Sequence, residues 1–86
     1  MSVLVIYRPS GEHARSVEEF LHDFEHRTAQ KLETIDPDSP HGADLCRLYD
    51  VVEYPTLVAT SQDGQMRQMW RGLPLPTIDE VSYYVL

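Results

Sequence analysis

The chain opens on Ser2-Val-Leu-Val-Ile-Tyr7, a nearly continuous apolar run rich in β-branched residues. Such a run predicts a strand covered on both faces, over residues 2–7. Arg8-Pro-Ser-Gly11 breaks it. From Glu12 to about Ala29 the period turns helical: Ala14, Val17, Phe20, Leu21, Phe24 and Thr28 fall on one stripe. Two starts compete for this helix. Ser10 is one cap, and Ser16-Val-Glu-Glu19 reads as a capping box more than a turn later. Lys31 to Asp36 suits a short second strand, over residues 32–36, with Pro37 and Pro40 ending it.

A second helix, about Gly42 to Asp50, places Leu45, Leu48, Tyr49 and Val52 on one side. Tyr54-Pro55 then leads into a strand over residues 56–61. Asp63-Gly64 signals a tight turn, so residues 65–71 return antiparallel as a hairpin. Thr77-Ile-Asp-Glu80, behind Pro76, is a capping box that opens a last helix with Ile78, Val81 and Val85 inward. The order β-α-β-α-β-β-α, with a right-handed parallel crossover between the first two strands, predicts an α/β fold. The expected architecture is a four-stranded mixed sheet flanked by three helices, in one domain over residues 1–86.

Composition narrows the function classes. Fourteen acidic against seven basic residues leave a net charge of −7, the wrong sign for a nucleic-acid or anionic-membrane surface. The longest apolar stretch, Val3 to Tyr7, is far below the ~20 residues of a membrane span. One cysteine excludes an internal disulfide. No secretory leader pattern is read at the start, so a cytoplasmic location is expected.

The order of elements, together with Tyr49-Asp-Val-Val-Glu-Tyr-Pro-Thr-Leu57, resembles the thioredoxin-like superfamily. Ile35-Asp36 matches its acidic strand end, Asp63-Gly64 its hairpin turn, and Gly72 the glycine before its last helix. Val5-Ile-Tyr-Arg-Pro-Ser10 looks like the first strand and loop of glutaredoxins. The resemblance implies a cis bond before Pro55, beside an edge whose backbone pairs with an extended ligand. It also implies that Arg8 stands where many glutaredoxins carry a lysine against a glutathione carboxylate.

The departure from the family is chemical. Gly11-Glu12-His13-Ala14 occupies the place of Cys-x-x-Cys. Dithiol exchange needs a thiolate at the helix start and a resolving thiol three residues on, and neither Gly11 nor Ala14 supplies sulfur. The expectation is therefore a non-catalytic module that binds a protein or peptide through Arg8, Ser10, Gly11, Glu12, His13, Tyr54 and Pro55, without cofactor. The alternative is a diverged glutathione-linked protein that holds the tripeptide through Arg8 or Ser10. An anion pocket at the helix start, helped by Arg8 and Arg15, is weighed against a plain solvated terminus.

Other features receive bland readings beside sharper ones. Cys46 is read as a small buried hydrophobe rather than a redox switch. His22-Asp-Phe-Glu-His26 matches the H-x-x-E-H of inverted zinc peptidases, but it lies on the polar helix face without a third ligand. Met66, Met69, Trp70, Tyr83, Tyr84 and Leu86 either form a partner surface or cover the core. His13 has no nucleophile beside it except Ser10 and no orienting acid.

Overall fold

A computed structural model describes residues 2–85. Leu86, expected in the apolar C-terminal group, lies outside the described residues. The elements run β1 (Ser2–Ile6), α1 (Ala14–Thr28), β2 (Glu33–Ile35), α2 (Pro40–Leu48), β3 (Thr56–Thr60), β4 (Met66–Arg71) and α3 (Ile78–Ser82). The sheet order is β2-β1-β3-β4, with β1 parallel to β2 and antiparallel to β3, and β3 antiparallel to β4. The sheet is mixed and four-stranded, as the hydrophobic pattern requires.

The apolar run of β1 is explained by its neighbours. Val3, Val5 and Tyr7 pack with Leu57, Ala59, Val17, Phe24 and Val81, the layer beneath α1 and α3. Leu4 and Ile6 point the other way and pack with Val58, Ile35, Cys46 and Val51 on the α2 side. A strand alternating between two apolar layers has no polar face to show. On the inner stripe of α1, Ala14, Val17 and Phe24 are buried, while Phe20 and Leu21 pack against them half-buried.

Several boundaries differ from the sequence reading. Neither Ser10 nor Ser16 caps α1: His13 is its N-cap, with no side-chain cap bond. α2 starts two residues before Gly42, because Ser39 accepts the Gly42 amide at 3.0 Å and Pro40 fits the first turn, where its missing N–H costs nothing. Pro40 therefore opens a helix rather than merely ending a strand. β2 is three residues long, shorter than expected. The inward side of α2 is carried by Cys46, with Leu45 and Tyr49 half-buried against it. Leu48 and Val52, assigned to that side, are instead 69% and 78% exposed. The helix ends at Leu48, and Asp50 takes a positive φ of 57°, so the helical period no longer governs where Val52 points.

Candidate functional site

β1 delivers Tyr7 and Arg8 to the end of the sheet where α1 begins. There the chain makes two tight turns: the Gly11 amide donates to the Arg8 carbonyl at 2.9 Å, and the Ala14 amide to the Gly11 carbonyl at 3.1 Å. His13 is built into this loop. Its Nε2 accepts the Arg8 amide at 3.2 Å, and its ring meets Tyr7 edge-on with centres 6.3 Å apart. That acceptor role ties the imidazole to loop structure. Ser10 and Glu12 are exposed on the turn.

The Arg8 side chain does not reach toward α1. Its guanidinium meets both carboxylate oxygens of Asp38, at 3.1 and 3.4 Å, and lies 4.7 Å from the centre of the Tyr54 ring. The bond to Asp38 raises the Arg8 pKa further. Asp38 is presented by a compact Asp36-Pro37-Asp38-Ser39 turn: its amide donates to Asp36 Oδ1 at 2.9 Å, and Ser39 Oγ donates to the Asp36 carbonyl at 2.7 Å. Arg15 is bound one turn along its own helix to Glu19, at 3.4 Å. The expected convergence of Arg8 and Arg15 on an anion does not occur. Each arginine already faces a carboxylate.

Tyr54 is the centre of the arrangement. Burial of its ring raises the phenol pKa, with the Cys46 thiol, 3.8 Å from the hydroxyl, adding to the effect. The Tyr54–Pro55 bond is cis, as is Leu73–Pro74. The Pro55 carbonyl accepts the Gly72 amide at 2.7 Å, and Thr56 Oγ1 donates to the Glu53 carbonyl at 2.6 Å. Between these fixed points, the Tyr54 amide and carbonyl make no hydrogen bond with any described residue. Exposed apolar side chains stand on both sides along the chain: Val52, two residues before Tyr54, and Leu73, 58% exposed, directly after the Gly72 that anchors Pro55.

The structure thus joins Arg8, His13, Tyr54 and Pro55 through one network and leaves Ser10 and Glu12 on its rim. Gly11 contributes backbone turns. The sequence reading names neither Asp38 nor Leu73, and it places Val52 on the inward side of the second helix. The Asp36–Ser39 turn chemistry is readable locally, but nothing local announces a partner thirty positions earlier. Cys46 is buried, consistent with its reading as a small hydrophobe. Among the described residues, no three His, Cys, Asp or Glu side chains converge on a metal-sized site, and no helix is long and apolar enough to cross a membrane.

The helix-flanked sheet with its Tyr54–Pro55 entry into β3 defines a thioredoxin-like fold. A solved structure of thioredoxin 1 from the thermophilic eubacterium Thermosipho africanus TCF52B matches 99% of this chain and 90% of that one, with a TM-score of 0.66 and 12% sequence identity. At that identity the likeness shows the shared fold alone. No family model matches the sequence, and no curated protein is significantly similar to it.

Proposed function

We propose that the protein is a non-catalytic binding module that takes an extended peptide segment along the Tyr54–Pro55 edge. The observation that carries this is the free Tyr54 amide and carbonyl, flanked by exposed Val52 and Leu73. An extended peptide satisfies such a backbone by adding one short strand, and its side chains cover the apolar neighbours. Full burial of a valine or leucine side chain contributes about 1.5–3 kcal/mol, so the two together supply a few kcal/mol of affinity before ordering costs are subtracted. Arg8, Asp38 and the Tyr54 ring form a stiff polar floor beside that strand.

The loop over residues 11–14 supports binding rather than thiol chemistry. On the resemblance to thioredoxin-like proteins, Gly11 and Ala14 stand where thiols are expected, and Ala14 is buried. Glutathione is the competing ligand, and it would have to draw Arg8 away from Asp38. The test is selection of linear peptides from a random library against the folded protein, followed by affinity measurement. Val52→Ser and Leu73→Ser are each expected to weaken the selected peptide by roughly tenfold, equivalent to ~1.4 kcal/mol. Equal affinity in both variants overturns the reading. Competition by glutathione would move it to the tripeptide.

A further inference from the structure

We propose that His22 and His26 form a two-point chelate for a borderline divalent transition ion such as Ni2+, Cu2+ or Zn2+, on the outer face of α1. The two residues stand one helical turn apart. Their rings are parallel within 2°, with centres 6.4 Å apart, and both side chains are exposed. Imidazole–metal bonds are ~2.0–2.1 Å long, and the proposed chelate takes one nitrogen from each ring. His22 Nδ1 lies 3.6 Å from Asp23 Oδ1. That carboxylate adds negative charge beside the pair.

The electrostatics favour a cation. Glu18, Glu19, Asp23 and Glu25 outnumber Arg15 and Arg27 on the helix, and Arg15 is already engaged by Glu19. His26 also lies in the last turn, at the negative end of the helix dipole. Two nitrogen donors suit a borderline ion and discriminate against Mg2+, which takes oxygen ligands. Water fills the remaining coordination positions, so the site binds an ion without the closed shell of a structural zinc centre. It is separate from the Tyr54–Pro55 edge and owes nothing to a peptidase: no third protein ligand or catalytic water is invoked.

NiCl2, ZnSO4 and MgCl2 are titrated into the full chain and followed by calorimetry and by the histidine resonances. Saturable binding of one Ni2+ or Zn2+ is expected, with the largest changes at His22 and His26 and no response to Mg2+. His22→Ala and His26→Ala should each weaken binding by roughly tenfold or more, since loss of even a supporting partner of a metal ligand costs ~10-fold. His41→Ala should leave affinity unchanged. Both histidines are exposed, so the variants keep the fold, and the unfolding midpoint without metal verifies this. Affinity retained in either variant overturns the proposal, as does the absence of saturation up to an ion concentration on the order of 1 mM.

Discussion

A β-carbon built on Gly42 stands 1.9 Å from the Asp36 carbonyl oxygen and 2.9 Å from Ser39 Oγ. The first obstacle is backbone and cannot swing aside, so the first turn of α2 must move off the loop that holds Asp38. Overpacking of this kind costs typically about 1–3 kcal/mol, and Gly42→Ala is expected to lower stability by that amount in urea unfolding. The displacement also disturbs Asp38 and hence Arg8. Gly64 provides the contrast. Its φ of 85° is unfavourable for any other residue, yet a β-carbon there meets nothing. Gly64→Ala is expected to cost only the left-handed conformation itself, about 1–2 kcal/mol. If Gly42→Ala proves neutral, the packing of α2 against the Asp36 turn is wrongly described.

Among the elements, α3 shows how much a short helix depends on its ends. Thr77 Oγ1 accepts the Glu80 amide at 3.1 Å, and the Glu80 carboxylate accepts the Thr77 amide at 3.1 Å. The Thr77 amide, and after it the Thr77 hydroxyl at 3.0 Å, donate to the Glu80 carboxylate and hold it below its ordinary pKa, and bonds from the Ser61 hydroxyl and the Gln65 amide do the same for Asp63 in the β3–β4 turn. A carboxylate depressed in the folded state contributes stability above its unfolded pKa and loses it as pH falls through the folded value. Stability is therefore expected to decline from about pH 4.5 downward for Glu80 and 3.8 downward for Asp63. Thr77→Ala should cost about 0.5–2 kcal/mol through the lost cap and flatten the Glu80 part of that decline. A wild-type profile with no acid slope, or an unaltered slope in Thr77→Ala, contradicts this account of the α3 cap.

The same elements show what was legible beforehand. β1, the α1 stripe, the Asp63-Gly64 hairpin and the α3 box carry their signals within a few residues, through burial period, turn chemistry or reciprocal capping. The start of α2 is harder to read, because a proline in the first turn of a helix looks like a break unless Ser39 is taken as its cap. Val52 lies beyond the reach of the helical period, which ends at Leu48 before Asp50 turns the chain. At the site, the bond before Pro55 is the feature that the resemblance made readable, and it is cis. The clasp of Arg8 by Asp38 and the exposed pair Val52 and Leu73 depend on the arrangement of distant segments.

At the scale of the whole molecule, the fold is thioredoxin-like, and the loop that leads into α1, Gly11-Glu12-His13-Ala14, carries no thiol. Cys46 is the sole thiol, and it faces the core on the α2 side of the sheet. Insulin disulfides are accordingly expected to remain unreduced in the presence of the protein; turnover above background that persists in Cys46→Ser would place an active site elsewhere. The central claim is that the Tyr54–Pro55 edge binds an extended segment. Its most direct test is amide chemical-shift mapping of the isotope-labelled protein with a library-selected linear peptide. The account predicts that the largest changes fall on the Tyr54, Gly72 and Leu73 amides, with smaller ones through Arg8 and Asp38. Perturbations confined to the β4 edge or to the outer face of α1, with Tyr54 unmoved, would contradict it.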